Sequence, residues 1–196
     1  MNLGKLSKCL IVAVLGHCPL ISACGRAALS PQHQQEAIRS DSSVKQLTAN
    51  GDASAAIGDM TRAEQYYVSA LKAGGNERAL VQRLLVVCAS DQRYPVAANY
   101  AEQYLHRHPM DIELKFAAGS IHAAIGEPHR ARELFESVVR DRPEWPEAHY
   151  ALASLIRAQS EPLALADQHD LEYLKLSPHG PLAETARARL SRRATP

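Results

Sequence analysis

The sequence predicts an all-α fold, a solenoid of about four helix pairs with one further helix capping its C-terminal end. Three observations predict it. The first is a period: Ala63, Ala97 and Ala131 stand 34 residues apart and Ala166 follows after 35, with Gly75, Pro109, Pro143 and Pro178 at the same intervals. Self-similarity at a period of this size is the mark of stacked supersecondary units. The second is composition, in which alanine and leucine are plentiful and aromatics make up only 5% of residues, a mix that favours helices over strands. The third is punctuation. Glycine and proline fall at fixed points of the period, where helices turn or end.

The first element is the N-terminal segment. Residues 1–8 carry Lys5 and Lys8 and no acid, and an apolar run over 9–21 follows, interrupted by Gly16, His17 and Pro19. That run of 13 residues is short of the roughly 20 that a bilayer-spanning helix needs. A basic start and a short apolar core are the layout of a secretory signal peptide, read here as residues 1–23. Leu20-Ile21-Ser22-Ala23-Cys24 then resembles the lipobox of bacterial lipoproteins: a branched apolar residue, two small ones and a cysteine. The resemblance implies a diacylglyceryl thioether on Cys24, cleavage between Ala23 and Cys24, and acylation of the new amine. Two or three acyl chains, each worth about 0.8 kcal/mol per buried CH₂, make such an anchor lasting where one chain is reversible. An ordinary signal peptide cut at the same small residues, or an uncleaved anchor, stands as the alternative. Gly25 follows the cysteine where the family's inner-membrane retention signal is aspartate, which implies the outer membrane, facing the periplasm. Loss of Cys9 and Cys18 with the signal also means that the four cysteines make no disulfide framework.

Residues 24–43 read as the lipidated cysteine and a polar tether. Ser30-Pro31 also suits the start of a short helix over 32–39, and both readings stay open. From 44 the repeat begins, in units 44–77, 78–111, 112–145 and 146–179. Gly51, Leu85, Gly119 and Ala153 mark a close approach within each first helix, and Gly58, Gln92, Gly126 and Ser160 mark the turn after it. The single-residue slip in the last unit lies between Ser160 and Ala166, in a turn. The run 80–87 is strand-like in isolation, but the register makes it helix. Pro128 and Pro162 fall in first turns of helices, where proline is tolerated. Residues 180–196 close the chain: Leu182, Ala186 and Leu190 make one apolar stripe, and Arg187, Arg189, Arg192 and Arg193 sit near a helix C-terminus, where cations are favourable.

Period and residues together resemble the tetratricopeptide repeat. The clearest unit carries Ala118-Gly119, Gly126-Glu127, Ala131, Phe135 and Pro143, and the first carries Gly51, Gly58-Asp59, Ala63, Tyr67 and Ala70-Leu71. The fourth offers Leu152-Ala153, Ala166, Leu174 and Pro178. The second keeps Leu84, Ala97, Leu105 and Pro109 but has Leu85 for the small residue and Gln92 for the turn glycine. The resemblance implies a concave groove lined by first helices, with Thr48, Asp52, Gln82, Val86, Phe116, Ser120, Tyr150, Ser154 and Arg157 facing inward. Gln82, Phe116, Ser120, Tyr150, Ser154 and Arg157 are the expected protein-binding set. Phe116 and Tyr150 either hold an extended or helical peptide or lie partly buried between units. The clustered Lys, Arg and Asn with which some family members grip a C-terminal carboxylate are missing.

Chemistry is harder to find. The sequence contains no phosphate-cradling glycine loop, zinc-protease helix or serine nucleophile elbow, so the expectation is a non-enzyme without cofactor or metal. His106 and His108 end a helix, His122 and His149 hold interhelical packing positions, and Asp167, His169 and Asp170 lie on a charged face without a partner cysteine. Cys88 reads as a buried, inert thiol. A formal charge of +1 argues against nucleic acid, and no small-molecule substrate is implied. The expected role is a lipid-anchored scaffold for protein partners of the bacterial cell envelope, in assembly or stabilisation of a machine such as a type IV pilus or its secretin. Lipid-anchored pilotins resemble it but carry more repeats. Regulation of a peptidoglycan enzyme is the alternative.

Overall fold

A computed structural model describes residues 31–159 and 163–191. Cys24 and the signal segment, the Ser160-Glu161-Pro162 part of the expected insertion, and Arg192 and Arg193 lie outside these residues. Among the described residues there are nine α-helices and no strand: α1 (Pro31–Ala56), α2 (Met60–Lys72), α3 (Glu77–Ser90), α4 (Tyr94–Arg107), α5 (Ile112–Ile125), α6 (Pro128–Asp141), α7 (Pro146–Ala158), α8 (Leu163–Leu176) and α9 (Ala183–Ser191). Successive helices pack antiparallel in a chain of neighbours, and α3 also touches α5 and α5 touches α7. The odd-numbered helices therefore form one layer and the even-numbered helices the other. The strand-like run 80–87 lies inside α3.

Local chemistry sets the ends. The side chains of Asp59, Asn76 and Asp111 accept from the backbone N–H three residues on, capping α2, α3 and α5. Proline in the first turn starts α4, α6 and α7, where the missing N–H had no helical partner anyway. The turns between the paired helices need a left-handed residue. Gly58 and Gly126 supply it at φ 82° and 87°, and Gln92 is forced into the same region at φ 57°.

The stack is held by a size match repeated across each pair. A Cβ on Gly51 would stand 2.5 Å from the Tyr67 ring, and one on Gly119 would stand 2.7 Å from the Phe135 ring. The small residue of each first helix is thus the seat of an aromatic ring from the second. In the second pair the sizes are exchanged: Leu85 stands where the glycine would be and Ala101 where the ring would be, both buried in one cluster. The fourth pair departs further. Ala153 keeps the small position, but the ring is replaced by Asp170, which is fully buried.

α1 differs from the expected layout in one respect. It runs unbroken from Pro31, so the upstream polar residues continue the first helix of the repeat. Ser40 Oγ donates to the carbonyl of Ala73 at 3.2 Å, tying this extension to the end of α2. At the other end α9 is shorter than the expected stripe. Ala183 and Ala186 are its buried residues, Leu182 and Leu190 are half-buried, and the Leu182 N–H donates to Tyr173 Oη at 3.1 Å. Among the described residues no helix is long and apolar enough to cross a membrane.

Candidate functional site

Two clefts open on the layer formed by the odd-numbered helices. One, of 460 Å³, lies between α5 and α7 and is lined by Ser120, Ala123, Tyr150, Ala151, Ser154, Leu155 and Ala158, with Phe135 of α6 as its floor. The other, of 310 Å³, lies between α1 and α3 and is lined by Ala55, Tyr67, Ala79, Gln82, Arg83, Val86 and Val87. Val86 is 64% exposed there, a large apolar side chain left in water.

The expected groove residues divide between these clefts and the framework around them. Ser120, Tyr150 and Ser154 come together in the α5/α7 cleft, and Gln82 lies in the other. Phe116 lines neither. It packs against the Phe135 ring at 5.6 Å between centroids and the Trp145 ring at 4.7 Å, so it supports the floor from behind. Tyr150 does both jobs: it walls the cleft while its ring meets Tyr173 edge-on at 5.5 Å.

Arg157 also belongs to the framework. Its Nη2 reaches Asp170 Oδ2 at 2.7 Å and Asp167 Oδ1 at 2.5 Å, and its Nε reaches Asp170 at 3.2 Å. Arg189 of α9 approaches the other oxygen of Asp170 at 3.4 Å and lays its guanidinium 4.4 Å from the centre of the Tyr150 ring. A buried carboxylate thus joins α7, α8 and the capping helix. A buried charge persists only when paired and hydrogen-bonded, as here. Two further arginines of the cap sequence do comparable work or fall outside the described residues: Arg187 binds Glu184 and the Pro178 carbonyl.

Charges beside the α1/α3 cleft are neutralised in the same way. Asp52 accepts from Arg83 Nε at 2.9 Å and from Tyr67 Oη at 2.8 Å. Burial pulls the Asp52 carboxyl up, but these two hydrogen bonds outweigh it and hold the carboxyl below its usual value. Burial, reinforced by Asp52, pushes Tyr67 up to about 12.

The histidines are structural. His122 is buried between Glu127, at 2.6 Å from Nδ1, and Glu102, at 3.0 Å from Nε2, and Arg130 closes on Glu102 from α6. His149 Nε2 donates to the Pro143 carbonyl at 2.9 Å, which leaves its Nδ1 to accept from His169 Nδ1 at 3.1 Å. Burial, and then His149, lower the His169 pKa. His106 and His108 are exposed, and His108 reaches Glu77. Among the described residues no group of three His, Cys, Asp or Glu side chains is arranged to hold a metal. Cys88 is fully buried, and burial with Glu64 nearby pushes its thiol up to about 11, far from a reactive thiolate.

Residues 112–155 match the tetratricopeptide repeat family model. Solved structures extend the likeness over most of the chain. YrrB, a tetratricopeptide-repeat protein, superposes with a TM-score of 0.64 at 21% identity over 76% of each chain. The fold is a tetratricopeptide-repeat solenoid. A tetratricopeptide-repeat protein of Parabacteroides merdae gives a TM-score of 0.68 at 21% identity, covering 77% of this chain and 60% of that one. MamA of Desulfovibrio magneticus gives 0.62 at 20% identity, covering 70% and 77%. At such identities the likeness is one of fold. A comparison with curated proteins finds no match. Within the solenoid the odd-numbered helices are the first helices of the repeats, so both clefts lie on the face that the sequence reading assigned to the groove.

Proposed function

We propose that this solenoid is a lipid-anchored scaffold that holds a protein partner in the cleft between α5 and α7, within a bacterial cell envelope. The observation that carries the binding role is the cleft itself. It is 460 Å³ in volume, within the usual range of ligand pockets, and its lining has three alanines, a leucine and two aromatic rings but no charge. The arginines beside it are committed to carboxylates, so nothing nearby is left to grip a C-terminal carboxylate or a phosphate. YrrB, which shares the fold, is described as having an unusual peptide-binding site. The chemistry of an enzyme has no counterpart in the described clefts: their hydroxyls have no base beside them.

The anchor rests on Leu20-Ile21-Ser22-Ala23-Cys24 and the short apolar run before it. A stack held at the membrane by a lasting tether suits a component that organises a fixed assembly, such as a pilus or its secretin. Two substitutions test the halves separately. Cys24→Ala should release the protein from the membrane fraction and remove the mass of the acyl groups. An unchanged fraction and mass would sink the anchor. Ala123→Arg, at an exposed position of the cleft, should abolish co-isolation of the partner and leave the membrane fraction unchanged. Co-isolation at the wild-type level would place the partner on another face.

A further inference from the structure

The polar groups of the α5/α7 cleft are unusually one-sided. Ser120 Oγ donates to the Phe116 carbonyl at 3.0 Å, and Ser154 Oγ donates to the Tyr150 carbonyl at 2.8 Å. A hydroxyl has one proton, so both serines turn only lone pairs toward the cleft. A guest must bring donors. An α-helix has spent its backbone N–H groups internally, whereas a polyproline II segment makes no internal hydrogen bonds and keeps those of its non-proline residues free.

The spacing of the two serines selects among extended forms. They occupy the same position 34 residues apart, on first helices that touch, with Cα atoms within 8 Å. Axes of packed helices lie about 8–10 Å apart. Polyproline II returns to the same face every three residues at a rise of about 3.1 Å, a repeat of about 9.3 Å. A β-strand returns every two residues, about 6.6–6.8 Å, which falls short of the spacing.

The walls fit the same guest. Ala123, Ala151 and Ala158 leave flat apolar room between the helices, and Phe135 and Tyr150 present aromatic surface. Tyr150 is held from both sides by Tyr173 and Arg189, and its hydroxyl makes no hydrogen bond among the described residues, so it can donate to a guest carbonyl. The lining carries no charge, and Arg157 and Arg189 are paired with Asp170, so a charged guest side chain would lose water and find no partner. Aromatic grooves that take proline-rich segments exploit the low ordering cost of a preformed polyproline II helix.

We infer that the α5/α7 cleft recognises an uncharged, proline-rich segment in the polyproline II conformation, with non-proline residues placing N–H groups on Ser120 and Ser154. This rests on the cleft being the partner site. The test is a calorimetric titration of the purified full chain with three peptides, each acetylated and amidated: an uncharged Pro-Ala-Pro repeat, the same repeat with a central Asp, and an uncharged alanine-based helical peptide. The expected result is saturable binding of the first and at least tenfold weaker binding of the other two. Ala158→Arg should abolish binding, Ser154→Ala should weaken it about fivefold, the value of one neutral hydrogen bond, and Gln82→Ala in the other cleft should change nothing. Far-ultraviolet circular dichroism checks that each variant is folded. Equal or tighter binding of the helical or Asp-bearing peptide overturns the inference, as does binding that survives Ala158→Arg. If no peptide binds while Ala123→Arg still removes the cellular partner, the polyproline inference falls and the partner site stands. If Ala123→Arg has no effect either, both fall.

Discussion

Removing the carboxylate of Asp170 should loosen the C-terminal end of the solenoid and leave the rest intact. Asp170 is fully buried and receives Arg157 at 2.7 and 3.2 Å and Arg189 at 3.4 Å. Deleting one member of a buried ion pair costs about 3–5 kcal/mol when the other is stranded. Arg157 is not stranded, because Asp167 remains at 2.5 Å, and both arginines are partly exposed and can reach water. The expected loss for Asp170→Ala is therefore lower, about 2–3 kcal/mol. At about 2–4 °C per kcal/mol for a chain of this size, the melting point should fall by about 4–12 °C. Stability in repeat stacks is a sum of local and nearest-neighbour terms, so the damage should stay local. Hydrogen exchange followed by mass spectrometry should show protection lost in α7, α8 and α9 and kept in α3–α5. A melting point unchanged within 1 °C, or protection lost evenly along the chain, would refute the role given to Asp170.

Three further outcomes follow from the same packing. Gly119→Ala places a Cβ 2.7 Å from the Phe135 ring, which Phe116 backs, so it should cost about 1–2 kcal/mol in urea denaturation despite alanine's better helix propensity. Gln92→Gly relieves a left-handed residue at φ 57° and should stabilise by about 1 kcal/mol in the same assay. The pH dependence has a defined sign. The folded His169 pKa lies below its ordinary 6.5, so the unfolded chain binds the proton more readily, and stability present above about pH 6.5 is lost as pH falls toward the folded pKa. His169→Asn keeps a donor for His149 without the titration, so its melting point should fall less than the wild type's between pH 7 and 5.5. Parallel curves would refute this.

Much of the architecture is legible in the sequence because its causes are periodic. Gly51 and Gly119 stand 16 residues before Tyr67 and Phe135, and that interval writes the seat-and-ring packing into the chain. Gln92 at a glycine position foretells a strained turn, and the left-handed φ is there. What the register does not reveal is where long side chains go. Arg157 has a groove-facing position, but a buried carboxylate 13 residues later draws it into the framework. That carboxylate occupies the ring position of the fourth pair, while the sequence reading anchored its register on Ala166, Leu174 and Pro178. Phe116 is likewise turned to support by Trp145, a residue just before α7 whose ring position no periodicity describes. The upstream extent of α1 is not signalled because its residues carry no apolar stripe, and nothing after Pro31 breaks a helix. The cleft itself is made by what is small. Ala123, Ala151 and Ala158 look unremarkable one at a time, and only their meeting across α5 and α7 leaves the space.

Site-specific photocrosslinking in cells tests the binding face most directly. A photoreactive residue at Ala123 or Ala158, in the cleft, is compared with one at Gln103 on α4 of the opposite layer, all three positions being exposed. The account predicts that one partner protein crosslinks from Ala123 and Ala158 and that none does from Gln103. The same partner crosslinking from Gln103 alone would contradict it.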